Sequence, residues 1–166
     1  MNLVSIIIPF KNPGKYFKPC LESIRNQSYQ NIEVLMIDDH SNYDDAEVAR
    51  MAQIKDKRFQ LYRSNGPGII NALQTGLDLA KGEFISRMDA DDLMTKDKIE
   101  LMRSALLKSN QKSVCTALVC YFASEKSIIV LSLKNNSLST PAYPEAIDLF
   151  TKSTVPEFST SKIGMP

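Results

Sequence analysis

Three aspartates, Asp89, Asp91 and Asp92, fall within four positions directly after the apolar run Glu83–Met88. Neighbouring carboxylates repel each other at neutral pH, so this concentration of charge needs a compensating partner. A hard divalent cation such as Mn²⁺ or Mg²⁺ is a direct one, because it binds carboxylate oxygens and keeps positions for phosphate and water. Asp89 and Asp91 project to the same side of extended backbone, so one can bind a metal while the other contacts its ligand. The spacing predicts a site for a metal-bound diphosphate.

Two further polar clusters, Pro9–Asn12 and Asp38–Ser41, also follow apolar runs. Ligands of open parallel sheets bind beyond the carboxyl ends of the strands, which meet at one edge. A single pair of aspartates is commonly a turn feature. Five aspartates and one loop at three strand ends are harder to explain as turn residues than a single pair is. We therefore expect the three clusters to share one binding edge.

Four segments have the apolar content of strands, and they are Leu3–Phe10, Ile32–Ile37, Arg58–Arg63 and Glu83–Met88. Apolar residues between and after them recur at the spacing of one helix face. The predicted stripes are Phe17, Cys20, Leu21 and Ile24; Val48, Met51 and Ala52; Ile70, Leu73, Leu77 and Ala80; and Ile99, Met102 and Leu106. We expect Gly82 to end the third helix and Thr95 to cap the fourth. This alternation predicts an α/β fold, with a mostly parallel Rossmann-like sheet and helices on both faces.

The pattern weakens after residue 110, where the runs "VCTALVCYFA" and "SIIVLSL" predict two more strands. From Lys134 onward polar residues and proline dominate, which predicts a loop-rich tail with one short helix near Glu145–Phe150. We therefore expect one α/β domain over residues 1–133 and a tail over residues 134–166.

Charge and composition exclude several classes of protein. The 20 basic and 19 acidic residues nearly cancel, so a nucleic-acid partner is not expected. No apolar run approaches the roughly 20 residues of a membrane span. Three separated cysteines and one histidine predict neither a disulfide framework nor a zinc site. We expect a cytoplasmic protein, with a peripheral position at the inner face of the membrane, or an oligomer, left open.

Three segments, with their order and spacing, resemble the family 2 glycosyltransferases of the GT-A fold: "VSIIIPFKN", "SIRNQSYQNIEVLMIDDHS" and "GIINALQTGLDLAKGEFISRMDADD". The resemblance covers about Leu3–Leu107, the nucleotide-sugar-binding half, and leaves the acceptor half incomplete. It implies a hexosyltransferase-like enzyme of surface polysaccharide or glycoconjugate biosynthesis. Such an enzyme moves a sugar from a nucleotide-diphospho sugar, most often UDP-linked, to a glycan or lipid-linked acceptor, mostly with inversion and with Mn²⁺ or Mg²⁺.

The resemblance also implies roles for particular residues. The nucleotide-sugar site would be formed by Pro9, Phe10, Lys11, Asn12, Asp39 and Asp89. Asp39 would accept a hydrogen bond from the base, typically uracil N3, and Asp89 would contact the ribose or the metal shell. Asp91 would bind the metal, with Asp89 beside it.

Other residues near these clusters have predicted structural roles. Asp38 and His40 are expected in the turn, and Asp92 either braces its loop or caps the next segment. The role of Arg87 is open.

Three features depart from the family pattern. Lys11 stands where an aromatic residue usually stacks on the base, and Phe10 should face the other side of its strand. Gln74 stands where Asn is frequent. The acidic pair that supplies the acceptor base is not recognisable after residue 110. The tail offers Glu145, Asp148 and Glu157, each better explained as an ordinary surface acid, so the catalytic base stays unassigned.

Two alternatives to an active transferase follow. The chain could be a non-catalytic nucleotide-sugar-binding remnant or partner module, which would bind a donor without transferring it. The segment "DADDLM" also resembles the motif of haloacid dehalogenase phosphatases. That family places its motif after the first strand, whereas here it follows the fourth. The lack of a recognisable acceptor base has two expected explanations. Either the chain is truncated, or the protein has lost the base.

Overall fold

The structure, a computed structural model, describes residues 2–109 and 113–116 together with two short strands further on. The chain divides into two units, Met1–Ala117 and Leu118–Pro166. The first unit contains the strands β1 Val4–Phe10, β2 Ile32–Asp38, β3 Phe59–Arg63 and β4 Phe84–Arg87. Its α-helices are α1 Phe17–Arg25, α2 Tyr43–Lys55, α3 Ile69–Leu79 and α4 Lys98–Leu107, and a 3-10 turn at Gly14–Tyr16 precedes α1.

The four strands form one parallel sheet in the order β3-β2-β1-β4. β1 is central, with Ile7 paired to Leu35 on one side and to Arg87 on the other. The chain runs outward through β2 and β3 and then crosses to the opposite side of β1 for β4. This reversal leaves a crevice between the carboxyl ends of β1 and β4, where ligands of such sheets bind.

Successive residues of β1 face opposite sides of the sheet, and an apolar cluster lies on each side. The first cluster includes Ile6, Ile8, Phe17, Cys20, Ala49 and Ile99. The second consists of Ile7, Leu35, Ile37 and Ala72. Helices α1, α2 and α4 therefore cover one face and α3 covers the other, which confirms the prediction of helices on both faces. The two central strands are continuously apolar because they are buried on both faces.

The predicted helix α1 is confirmed, whereas the buried face of α3 was predicted wrongly in part. α1 buries all four residues of its stripe. In α3, Ile70 is 75% exposed and Leu77 is 48% exposed. The helix instead buries Ala72, Thr75 and Gly76, while Leu73 and Ala80 still pack against the second cluster. These small side chains allow the helix to approach the sheet more closely than a face of large residues would.

Gly82 does not end α3, because the helix stops at Leu79 with Ala80 at the C-cap. A Cβ added to Gly82 would lie 2.5 Å from the backbone nitrogen of Ser5, so glycine is needed there for close approach to β1. The Gly82 amide donates to Ser5 Oγ (2.7 Å), and Ser5 Oγ donates to the buried Glu33 (2.6 Å). This network fixes the loop that leads into β4.

Two other predictions about helices were wrong. The fourth helix begins at Lys98 with Asp97 at the N-cap position, two residues after the start that a Thr95 cap would give. In α2, Met51 is exposed, whereas Ala52 is buried and Val48 packs against the first cluster as predicted; the helix also turns Asp45 and Ala49 inward. Both errors arise where a weak apolar pattern left the rotation or the start of the helix undetermined.

Within the second unit, the strands β5 Cys120–Tyr121 and β6 Ile129–Val130 pair in antiparallel fashion. This confirms a strand pair in that region. The predicted tail over residues 134–166 lies outside the described residues, and so do its helix and its candidate acids Glu145, Asp148 and Glu157. The predicted boundary at residue 133 stays a prediction. Among the described helices, none has both the length and the apolar character that crossing a membrane requires.

Candidate functional site

A cavity of about 320 Å³ opens at the carboxyl ends of β1 and β4. Its lining residues are Pro9, Phe10, Lys11, Asn12, Pro13, Tyr16, Asp89, Ala90 and Asp91. The reversal of strand order at β1 separates the two strand-end loops and creates this space. Six of the seven predicted site residues therefore line one cavity, and the seventh, Asp39, does not line it.

The loop after β1 is fastened to the loop after β2 by reciprocal hydrogen bonds. Asn12 adopts a left-handed conformation (φ 50°), and its Oδ1 accepts from the Asn42 amide at 2.7 Å. The Asn12 amide donates to Ser41 Oγ (3.2 Å), and the Gly14 amide donates to the buried Asp45 (3.1 Å). The N-terminus of α2 thus holds one wall of the cavity in place.

Asp39 is buried beside the cavity, and three groups meet its carboxylate. Oδ1 accepts from the Gly68 amide at 2.8 Å, with His40 Nδ1 at 3.5 Å. Oδ2 lies 3.6 Å from Lys11 Nζ. Burial acts to raise the pKa of Asp39, but Gly68, Lys11 and His40 together hold that pKa below its ordinary value. Asp39 is therefore a carboxylate at neutral pH, and it connects the loops after β1, β2 and β3.

The turn that presents Asp39 is formed by the residues around it. Asp38 Oδ1 accepts from the Ser41 amide at 2.7 Å, which confirms the predicted turn role of Asp38. His40 adopts a left-handed conformation (φ 59°), as a residue in a tight turn does.

The acidic segment after β4 is only partly neutralised. Arg87, whose role the sequence left open, donates to Asp89 Oδ1 from Nη2 (2.7 Å) and Nε (3.2 Å). Partial burial raises the pKa of Asp92, and the nearby charges of Asp91 and Asp89 raise it further, while Lys98 lowers it. The predicted repulsion among the aspartates is therefore present. Within the described part of the chain, no group of three or more His, Cys, Asp or Glu side chains is arranged to hold a metal.

Cys20 lies beneath this segment, with its thiol 3.6 Å from the backbone oxygen of Asp89. Burial raises the pKa of Cys20 to about 12, to which the charges of Asp92, Asp91 and Asp89 contribute. The thiol is therefore neutral and unreactive at physiological pH. Cys20 is part of the first apolar cluster, on the buried face of α1.

Two aromatic residues line the cavity, and only one of them offers its ring to a ligand. Phe10 is 3% exposed, and its ring packs on Phe17 with centroids 4.7 Å apart. Tyr16 is 48% exposed and lies under Lys15 Nζ, 5.1 Å from the ring centroid. Sequence reasoning missed Tyr16. The available signal was its place outside the buried stripe of α1, directly after the loop of β1.

The order of strands, the crevice and the acidic segment after β4 are features of the α/β fold class called GT-A. The family comparison agrees. The model of Glycosyl transferase family 2 matches residues 5–161, and the chain belongs to that family. The position of the acidic motif after β4, rather than after β1, also separates the chain from the haloacid dehalogenase arrangement.

Among curated relatives, "Glycosyltransferase GlyG" of Streptococcus pneumoniae serotype 4 is 37% identical over 102 residues, which are 61% of this chain and 34% of the relative. An uncharacterized glycosyltransferase of Haemophilus influenzae is 37% identical over 113 residues, which are 66% of this chain and 44% of the relative. The chain thus spans about a third to under half of the length of these curated relatives.

Solved structures of glycosyltransferases share the fold. The mannosyltransferase PcManGT from Pyrobaculum calidifontis, solved with GDP-Man and Mn²⁺, has a TM-score of 0.58 at 26% identity, covering 62% of this chain and 32% of that chain. TarS 1-349 of S. aureus, solved with UDP, has a TM-score of 0.59 at 21% identity, covering 71% of this chain and 39% of that chain.

Proposed function

We propose that this chain forms the donor site of a metal-dependent glycosyltransferase that uses a nucleotide-diphospho sugar. A UDP-linked sugar is our first candidate for the donor, and a glycan or lipid-linked molecule for the acceptor. One observation supports this most strongly. The cavity brings Lys11 and the loop of β1 together with Asp89 and Asp91, beside the buried carboxylate of Asp39.

The charges of the cavity support the metal dependence. A diphosphate adds negative charge to a cavity whose described lining already holds Asp89 and Asp91, with Lys11 as its one basic residue. Arg87 is paired with Asp89, and Asp91 takes part in none of the ion pairs described at this edge. Two like charges about 4 Å apart repel by roughly 4 kcal/mol near a protein surface. A divalent cation held by Asp91 would compensate that negative charge.

The donor set fits such a cation. Carboxylate oxygens are the ligands that Mn²⁺ and Mg²⁺ take, and the bound phosphates and water commonly complete their shell. Asp91, with Asp89, would hold the ion. When bound, the cation supplies Lewis-acid stabilisation to the charge that builds on the departing diphosphate. The Mn²⁺ and GDP-Man present with PcManGT support the same assignment.

The protein residues would bind and orient the donor. The loop Pro9–Asn12, fixed to the N-terminus of α2, would form one wall around the nucleotide, and Asp39 would accept an N–H of the base. Asp89, held by Arg87, would contact the ribose. By analogy with glycoside hydrolysis, the sugar leaves through an oxocarbenium-like transition state. We further propose inversion, in which a separate carboxylate takes the proton of the acceptor hydroxyl.

A donor-binding module without transfer activity is the second candidate. The described carboxylates that line the cavity are Asp89 and Asp91, and both are assigned to binding the donor. This lining therefore offers no further described carboxylate as the acceptor base, which favours the second candidate. This candidate predicts nucleotide binding with no transfer. Slow metal-dependent hydrolysis of the donor that disappears in Asp91→Asn would contradict it.

Calorimetry with UDP and GDP, each with Mn²⁺ and with EDTA, tests the proposal. We expect one diphosphate to bind only when the metal is present. Asp91→Asn should weaken that binding at least about tenfold, the effect of losing one charged ligand contact. Asp78→Asn removes an exposed carboxylate from α3 and should leave affinity unchanged. Failure of both diphosphates to bind with Mn²⁺, or equal binding in EDTA, would sink the proposal.

A further inference from the structure

Lys11 contacts Asp39, the carboxylate that is predicted to bind the base. Its ammonium therefore lies between that carboxylate and the cavity. The Asp39 side chain is 8% exposed, while that of Lys11 is 55% exposed. Oδ1 of Asp39 is engaged by the Gly68 amide at 2.8 Å. Oδ2 has Lys11 Nζ at 3.6 Å. A ligand group that approaches Asp39 from the cavity therefore meets the Lys11 ammonium first.

Two of the groups that meet the Asp39 carboxylate, Gly68 and Lys11, differ in their freedom to move. Gly68 contributes a backbone amide at the N-terminal end of α3, where its left-handed conformation (φ 93°) sets the direction of the chain. Lys11 contributes an ammonium on a flexible four-carbon stem, and more than half of its side chain is exposed. Oδ1 is thus permanently occupied, whereas Oδ2 is released whenever Lys11 turns away.

Lys11 also lies where a diphosphate would attract it. Among the described residues that line the cavity, Lys11 is the single basic one, and Asp89 and Asp91 line the same cavity. The phosphates of a donor held near those aspartates bring negative charge within reach of the same ammonium. A charge-assisted contact with phosphate is at least as strong as the 3.6 Å pair with Asp39.

We propose that Lys11 exchanges partners when a nucleoside diphosphate binds. It leaves Asp39 for the diphosphate, and Asp39 Oδ2 then accepts an N–H of the base. This inference rests on the proposed donor function and goes beyond it, because it couples recognition of the phosphates to recognition of the base. A nucleoside without phosphates has to compete with Lys11 for Asp39. A nucleoside diphosphate removes that competitor itself.

The exchange predicts opposite effects of one substitution on two ligands. Lys11→Met should weaken binding of the diphosphate, UDP or GDP, at least about tenfold in the presence of Mg²⁺. It should also strengthen binding of the matching nucleoside, uridine or guanosine, by about threefold or more. Lys18→Met removes another exposed lysine, on α1, and should change neither affinity. Amide NMR spectra of each variant establish that the fold is retained.

A second measurement tests the coupling directly. Inorganic pyrophosphate with Mg²⁺ should draw Lys11 away from Asp39, and should therefore raise the affinity of wild-type protein for the nucleoside. Linkage requires the nucleoside to raise pyrophosphate affinity by the same factor. In Lys11→Met this cooperativity should vanish.

The outcomes separate the two proposals. Equal weakening of nucleoside and diphosphate by Lys11→Met, or no effect on either, would overturn the exchange and leave the donor function intact. Persistence of the pyrophosphate effect in Lys11→Met would also overturn it. Absence of diphosphate binding by the wild-type protein would overturn the donor function and the exchange together.

Discussion

Gly76 of α3 packs directly against Ile7 of β1, and the contact leaves no space for a side chain. A Cβ added to Gly76 would overlap Ile7 Cγ2 and would come within 3.4 Å of Ile37. Ile7 is buried between β2 and β4, so it has no free direction in which to move. The contact fixes how α3 lies on the sheet, and the N-terminal end of the same helix carries the Gly68 amide that holds Asp39.

Gly76→Ala should therefore destabilise the protein, although alanine is the better helix former by about 1 kcal/mol. Overpacking a rigid core costs roughly 1–3 kcal/mol, and overlap with a β-branched side chain falls at the upper end of that range. We expect a net loss of about 2 kcal/mol in the free energy of unfolding, measured by urea denaturation. Leu77→Ala, at an exposed position of the same helix, is the control. A stabilised Gly76→Ala protein would show that α3 can move away from Ile7.

The rotation of α3 illustrates what the sequence could not provide. Strand order and strand ends were predictable, because continuous apolar runs and helix stripes alternate strongly and parallel strands place their ends at one edge. The buried face of α3 was not, since its small residues Ala72, Thr75 and Gly76 carry little apolar signal beside Ile70 and Leu77. The contact itself depends on the shape of the sheet rather than on hydrophobicity.

The candidate site was likewise predictable from the sequence only in part. The cavity residues at the ends of β1 and β4 were predictable from their position after strands. The ion pair of Lys11 with Asp39 was not, because it joins two loops whose relative placement depends on the turn at His40 and on the Asn12 bonds. Tyr16 was missed because a short 3-10 turn, absent from the sequence pattern, directs it to the cavity.

The ion pair of Asp56 with Arg58 should make stability depend on pH. The hydrogen bond from Arg58 (2.7 Å from Nη2 to Oδ2) holds the pKa of Asp56 below its ordinary value, although partial burial acts to raise it. Arg58 also donates to Gln30 Oε1 (2.7 Å) and to the backbone oxygen of Arg25 (3.2 Å). The pair thus ties the start of β3 to the end of α1.

Asp56→Asn should lower the free energy of unfolding by about 1–2 kcal/mol at pH 7, since hydrogen bonds to charged groups contribute about that much. The native pKa is depressed, so this stabilisation is fully present above the unfolded-state pKa and is lost as pH falls through the native value. Below that pH, urea titrations should give the variant and the wild type the same free energy of unfolding. Glu47→Gln, which removes an exposed and solvent-screened ion pair with Arg50, should show a much smaller difference. A pH-independent difference for Asp56→Asn would contradict the role of its charge.

Asp39 and Asp38 provide a matched pair for the base-binding proposal. Asp39→Asn keeps an oxygen for the Gly68 amide but removes the charge, and we expect diphosphate affinity to fall about tenfold. Asp38→Asn retains the turn hydrogen bond to Ser41 in the same manner and should bind the diphosphate normally. Calorimetry of both variants, with melting curves to compare their stabilities, decides the matter. Equal affinities would remove Asp39 from the nucleotide site.

Because Asn12 has a left-handed conformation, two substitutions at this position can separate two contributions to stability. One is backbone strain, and the other is the hydrogen bond in the wall of the cavity. Asn12→Gly removes the acceptor for the Asn42 amide but adopts φ 50° without strain, and should lower stability by about 1 kcal/mol. Asn12→Ala removes the same acceptor and adds a left-handed penalty of roughly 1 kcal/mol or more. Urea denaturation should therefore rank the proteins as wild type, Gly, then Ala.

Both Asn12 variants should also weaken diphosphate binding several-fold, because each loosens the connection between the loop of β1 and the N-terminus of α2. The effect on affinity should be similar in the two, since both lose the same bond, whereas their stabilities differ. Asp45→Asn, which alters the other connection at Gly14, should weaken binding in the same direction. If calorimetry gives wild-type affinity for all three variants, then the loop does not need this connection to form the site. Normal affinity together with the expected stability ranking would assign the connection to folding alone.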